Sequence, residues 1–399
     1  METKTSNRAA YVAVISMGFV STLGDIVYES GRGIAPDYLR FLGASAFIVG
    51  AASGVGEFIG YVMRLLSGSL ADKTRAYWLF IFLGYGLILS IPLIGFTTSI
   101  EIVVALTLLE RLGKALRAPS RDTVISIVSK GIGSGKAFGL HEVIDQLGAV
   151  VGPLMVGALM LYTANNYSIT YKTLLLPFAL MLLLLVYTYR RIGKRVEAES
   201  AEIHAEGAGL DRSFWLYSVS IMLNTVGLMP VALILFKAST LLQPTGQQWI
   251  VPALYVVVQV VDAPMAYISG ILFDRIGVKI LAVPFIISIL PAFLTSYGGF
   301  NEIILACIFF GLVLGMQESI YRAAISNLVP INRRGTAYGL FNTMLGSGTL
   351  ISGMIFGFFL DKGLPPAALF GYALLIQACA LLALVSDRRL FFGHVKHKV

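Results

Sequence analysis

The chain is 399 residues long, 57% hydrophobic and only 13% charged, with a mean hydropathy of +0.80 and a formal net charge of +8. That much apolar surface exceeds what a water-soluble core can hide, which excludes a soluble domain and points to an all-α membrane protein. Cys307 and Cys379 both fall inside apolar runs and support neither a disulfide framework nor a zinc site, and the basic residues form no aromatic-interleaved patch of the kind that binds nucleic acid.

Apolar runs of about 20 residues recur along the whole length, each long enough to cross roughly 30 Å of hydrocarbon as a helix. About twelve are expected. The first six cover 10–31, 44–66, 77–97, 101–122, 137–162 and 171–190; the rest cover 213–237, 249–271, 279–297, 302–328, 336–360 and 365–386. The first run is too long for a signal peptide and lacks a small-residue cleavage site, so it is expected to stay as helix 1. Alternate loops are rich in Lys and Arg, as at Lys73, Arg75, Arg190, Arg191, Arg275 and Lys279, whereas the opposite loops hold only Arg32, Arg40, Lys172, Lys237 and Lys362. Positively charged loops stay cytoplasmic, so both termini are expected there.

Charges inside the spans are few and placed on faces. A single one costs roughly 2.5–3.5 kcal/mol at the bilayer centre on insertion scales, so they are expected to point inward. In helix 1, Asp25, Glu29 and Arg32 share a face at i, i+4 and i+7, joined by Tyr28. Helix 2 carries Glu57 and Arg64 on one face. Helix 4 is the richest, with Glu110, Arg111, Lys114, Arg117 and Arg121; the last three form a stripe, of which Arg117 and Arg121 are expected at the cytoplasmic surface. Helix 5 sets His141 and Asp145 on the stripe of Gly148 and Gly152, with Glu142 about 60° to 100° away. The later spans are poorer, offering Asn224, Gln259, Asp262, Gln317, Glu318 and Arg322.

A carboxylate removed from water can trade its proton for a cation or an ion-pair partner, which makes Asp25, Glu29, Glu57, Glu142 and Asp145 candidates for proton coupling. His141 is placed to relay a proton near neutral pH. Arg111, Asp262, Glu318 and Arg322 complete the set expected to line a substrate cavity. Simpler roles remain open for two pairs: Glu57 neutralising Arg64, and Glu318 pairing with Arg322 at i+4.

The chain is also written twice. Gly135, Ala137, Gly139, Leu140 and Gly157 recur in order as Gly335, Ala337, Gly339, Leu340 and Gly357, and the stretch Gly68 to Lys73 returns as Gly270 to Arg275. A period of half the length implies one duplicated unit. Three parts follow: residues 1–190, a polar linker 191–212 and residues 213–399. Where the copies differ, Gln259 stands for Glu57, Asn342 for Glu142 and Ser352-Gly353 for Gly152-Pro153, so ionisable groups gather in the first half.

The repeated loop has the form Gly-x-x-x-Asp-(Arg/Lys)-x-Gly-x-(Arg/Lys) and resembles the signature of the major facilitator superfamily of transporters. Gly270, Asp274, Arg275, Gly277 and Lys279 match it in full; Gly68, Asp72 and Lys73 match it in the first copy, where Arg75 takes the place of the second Gly. Gly139, Gly148, Gly152, Pro153 and Gly157 resemble the family's antiporter motif in helix 5, with Val156 replacing one Gly. Arg111 lies where the family's helix 4 often has a functional Arg.

The resemblance implies two pseudo-symmetric six-helix bundles about a central cavity, working by alternating access as a multi-pass monomer of the cell membrane. Its loops imply cytoplasmic gates, and its helix 5 motif implies export of a small organic or amphipathic compound against protons. An uptake symporter or uniporter for a polar or anionic metabolite, with Arg111 and Lys114 as ligands, is the first rival; a membrane sensor or scaffold is the second. No enzyme, metal or cofactor is expected. The stretch from Lys130 to Ala137 fails as a phosphate loop, because Lys130 holds the first Gly position and Ala137 the Ser/Thr position.

Overall fold

The computed structural model describes residues 2–129, 133–199, 210–329 and 334–386. Lys130, part of the expected linker (200–209) and the basic tail 387–399 lie outside the described residues. Among the described residues the fold is helical throughout. The first six segments are α1 (Glu2–Phe41), α2 (Ala46–Thr74), α3 (Tyr77–Phe96), α4 (Ile100–Val128), α5 (Ser134–Tyr162) and α6 (Tyr167–Gly193). The others are α7 (Arg212–Thr245), α8 (Ile250–Ile276), α9 (Lys279–Tyr297), α10 (Phe300–Ile325), α11 (Ala337–Asp361) and α12 (Pro366–Ser386).

Eleven of these are long and apolar enough to cross a membrane. The other, α4, has the length at 29 residues but carries Glu101, Glu110, Arg111, Lys114, Arg117, Arg121 and Asp122. Its start is well specified: Ser99 caps it by accepting from the Ile102 N–H, and Glu101 sits at the positive end of the dipole. Helix α1 runs about ten residues beyond its expected end because Asp37, which reads as a break in hydropathy, is buried and accepts a 2.7 Å hydrogen bond from the Tyr167 hydroxyl. Segment α7 is two helices, Arg212–Val226 and Val231–Leu242, parted at Pro230. A π-turn at Gln317–Tyr321 interrupts α10.

The chain forms two compact units. The first comprises Met1–Leu42, Val62–Ile203 and Gly246–Ala253; the second comprises Gly43–Tyr61, His204–Thr245 and Leu254–Val399. In the first, α1 lies along α5 and also packs on α6, while α3 packs on α4. In the second, α7 is flanked by α11 and α12, and α9 by α10 and α12. The start of α2 belongs to this second unit. There Gly50 meets Gly353 so closely that a Cβ on either would fall on the other's carbonyl. The Asp361 carboxylate accepts from the N–H groups of Ala46 (2.8 Å) and Phe47 (2.9 Å), capping α2 from a distant part of the chain.

The duplication is visible in the backbone. Arg75 and Gly277, at equivalent places in the two copies, both take left-handed angles, with φ of 57° and 66°. A non-glycine residue is disfavoured there by roughly 1–2 kcal/mol. Arg75→Gly is therefore expected to leave thermal stability unchanged or raise it by up to about 1 kcal/mol, after allowing for the extra freedom of Gly in the unfolded chain. Gly277→Ala should lower it by about 1–2 kcal/mol. Melting midpoints of the two variants against wild type check the pair.

Candidate functional site

The first unit buries a cluster of charges where α1, α3, α4 and α5 meet. Asp25 is 8% exposed, Glu29 3%, Glu110 1%, Arg111 8%, Arg117 3% and His141 2%, so these groups have left solvent together. Helix periodicity puts Ser21, Asp25, Tyr28, Glu29 and Arg32 on one side of α1, and Glu110, Lys114, Arg117 and Arg121 on one side of α4. Asp145 and His141 come from α5 at i+4.

Two sets of contacts organise the cluster. In one, the Arg121 guanidinium lies 3.6 Å from Asp145 Oδ2 and donates to Asp122 at 3.0 Å, while the Ser21 hydroxyl sits 2.8 Å from Tyr85 Oη and 3.1 Å from His141 Nε2. Asp145 Oδ1 is buried and meets no donor; the carboxyl within hydrogen-bonding reach of Asp145 is Asp25. Two ionised carboxylates cannot hydrogen-bond, so a single proton on either acid would complete this pair.

In the other set, three cations surround one phenol. Lys114 Nζ is 4.5 Å from the Tyr28 ring centroid, Arg117 Cζ 5.0 Å and Arg32 Cζ 5.2 Å. Each such contact is worth roughly 0.5–2 kcal/mol. Two like charges within about 10 Å repel by about 1.7 kcal/mol at an effective dielectric of about 20, so the arrangement needs nearby anions. Arg32 has one, donating to Glu29 at 3.2 Å. Arg111 and Arg117 share Glu110 only at 3.8 Å, beyond hydrogen-bonding distance.

Several sequence expectations meet here and others do not. Asp25, Glu29, Arg111, His141 and Asp145 lie in this cluster, whereas Glu142 is exposed on the neighbouring face of α5. Arg117 and Arg121 do not lie at a surface: Arg117 is buried and Arg121 is bound to Asp122 and Asp145, because α4 is tucked against α1 and α3. Ser21 and Tyr85 were not legible as partners; Ser21 lies one turn before Asp25, which was the available signal. His141, Glu142 and Asp145 offer ligand atoms within 4.8 Å of one another. The Arg121 cation beside Asp145, and the Ser21 contact on His141, make that corner unfavourable for a metal ion.

The motif glycines of α5 are explained by packing. A Cβ at Gly148 would fall on the Thr22 carbonyl and lie 2.8 Å from Asp25 Cβ, and one at Gly152 would lie 2.7 Å from the Ile26 carbonyl. These two glycines bring α1 against α5 at the level of Asp25. Gly139 has nothing within 4 Å, and Gly157 meets the Trp249 carbonyl at 3.2 Å. Of the loop residues, Asp72, Lys73, Asp274, Arg275 and Lys279 are exposed; Asp72 accepts from Tyr77 Oη at 3.1 Å. Gly68 packs on Pro119, and Gly270 on Ser319.

The second unit answers with neutral groups. Asn224 donates to Ser288 (3.1 Å) and Gln377 (2.8 Å) and accepts from Tyr321 Oη (2.6 Å), a buried network with its partners in place. Tyr321 stands at the repeat distance from Arg121. Asp262 is buried on α8, half-buried Glu57 belongs to the α2 segment of this unit, and Glu318 and Arg322 are exposed on α10. The i+4 pair of Glu318 with Arg322 is not formed; the π-turn that contains Glu318 changes the spacing along the helix.

Eleven membrane-capable helices make this a multi-pass membrane protein of the cell membrane. The description of the Major Facilitator Superfamily matches residues 9–353, and again 214–391. An uncharacterised protein of Mycobacterium tuberculosis is 32% identical over 381 residues, covering 94% of this chain and 93% of that one. An uncharacterised MFS-type transporter of Methanocaldococcus jannaschii is 27% identical over 380 residues, covering 93% and 94%.

Among solved structures, a variant of the nucleoside transporter NupG superposes with a TM-score of 0.72 at 14% identity, covering 93% of this chain and 99% of its own. A variant of the peptide transporter POT gives 0.73 at 14% identity and 95% of each chain. The chain belongs to the Major Facilitator Superfamily, and it is a transporter of that type.

Proposed function

We propose that the protein is a proton-coupled secondary transporter that exports a small organic, amphipathic compound in exchange for protons. The observation that carries this reading is the pair of buried Asp25 and half-buried Asp145, two carboxyls within reach of each other with one buried acceptor atom lacking a donor. A proton bound there completes the pair. Its departure leaves a second negative charge that Arg121, 3.6 Å from Asp145, is placed to meet. Arg121 already contacts Asp122 and, at 3.4 Å, Ser21, so it has other partners to return to when Asp145 is protonated. Proton occupancy thereby selects between two arrangements of α1, α4 and α5, which is the differential interaction a coupled transporter needs.

Transport by alternating access engages the two six-helix halves, residues 1–190 and 213–399, joined by 191–212, in a single chain acting as a monomer. Asp72, Lys73, Asp274, Arg275 and Lys279 are the gate residues in this scheme. Export is the direction favoured by the resemblance of the α5 glycines and Pro153 to an antiporter motif. In inside-out vesicles with an imposed proton gradient, adding a transported compound is expected to release protons. Accumulation of that compound by whole cells, with no proton movement in the vesicles, rejects the export reading.

A further inference from the structure

We propose that the transported compound is an organic anion whose carboxylate or phosphoryl oxygens are held by Lys114 and Arg117. This names the cargo of the same site and so rests on the transport reading above.

Two observations in the first unit carry it. Lys114 makes a single hydrogen bond among the described residues, 2.9 Å to Tyr28 Oη, so two of its three N–H donors are unused. It is half-buried and therefore partly accessible. Arg117, one turn further along α4, is 3% exposed, and its Nη1 is buried with no acceptor. Its carboxylate neighbour, Glu110, stands 3.8 Å away, and its other contacts are the faces of Tyr28 and Tyr85 at 5.0 and 5.2 Å. A guanidinium held this deep with an unmet donor is destabilising until an acceptor arrives.

The two donors also select by charge. A cation would meet two like charges, and an uncharged molecule would leave these donors without a charged acceptor.

The chemistry of the two donors sets the ligand class. A lysine offers a compact point charge and an arginine a planar fork, a combination suited to carboxylate or phosphoryl oxygens.

The test uses the purified full-length protein with five probes: 3-phenylpropanoate, phenylphosphonate, sulfate, 3-phenylpropanamide and phenethylamine. Either or both organic anions are expected to bind and raise the melting midpoint, and the one that does so identifies the headgroup. Lys114→Gln and Arg117→Gln should each weaken that anion by about 10-fold or more, while Lys114→Arg keeps it within about threefold, a rescue that a merely structural lysine would not show.

Tighter binding of the amide or the amine overturns the proposal. So does binding of sulfate alone, binding of neither organic anion, or unchanged anion affinity in Lys114→Gln. Proton movement recorded with the same probes in wild-type proteoliposomes separates the two readings. Anion transport without protons defeats the coupling and leaves the anion assignment, whereas proton movement driven by the amine defeats the anion and leaves the coupling.

Discussion

Asp25→Asn is expected to reduce proton-driven flux in proteoliposomes to the level of empty vesicles without lowering the melting midpoint. The two effects come from the same geometry. Asp145 Oδ1 is buried without a donor, and the group within reach of Asp145 is the Asp25 carboxyl. An asparagine at 25 offers the Asp145 carboxylate an N–H that cannot be given up, so the variant imitates the proton-loaded pair and cannot release what it holds. Removing one of two adjacent carboxylates also relieves like-charge repulsion, so the fold should be no less stable. Asp145→Asn should behave the same way from the α5 side. Gradient-driven flux near the wild-type rate in both variants would remove the pair from the mechanism and turn attention to Glu29, the other buried acid on that side of α1.

Gly148→Ala and Gly152→Ala are expected to cost about 1–3 kcal/mol each, with Gly139→Ala near zero. All three belong to the same antiporter-like motif, yet their surroundings differ. At Gly148 a methyl would fall on the Thr22 carbonyl, and at Gly152 it would meet the Ile26 carbonyl at 2.7 Å, backbone groups that cannot move aside without shifting α1. At Gly139 there is open space. Because Thr22 and Ile26 flank Asp25, the first two variants should also lose coupled flux in the protein that remains folded, through displacement of the carboxyl pair. Equal damage from all three substitutions, read by melting midpoint and flux, would mean that the motif acts otherwise than through helix packing.

This grading by surroundings was beyond the reach of the sequence, which presents the glycines as equivalent members of one pattern. The same holds for α4. Its stripe of Lys114, Arg117 and Arg121 is plain in the spacing, but positive charge near the end of an apolar run reads as cytoplasmic surface. Packing of α4 against α1 and α3 instead puts Arg117 between two tyrosine rings and Arg121 beside Asp145. For Glu318 the error would be one of local geometry: an i+4 pairing assumes a regular α-helix, and a π-turn takes its place.

What the amino-acid sequence determined alone was the membrane, the helical class, the duplication and the gathering of ionisable groups in the first half. Each of these follows from hydropathy, periodicity or recurrence, properties a chain carries before it folds. The tertiary structure alone decided which charges meet. Contacts such as Asp25 with Asp145, Lys114 with Tyr28 and Asp361 with the start of α2 join residues far apart in sequence. Their meeting depends on the rotation and depth at which helices pack, which small residues such as Gly148 and Gly152 set by letting backbones touch.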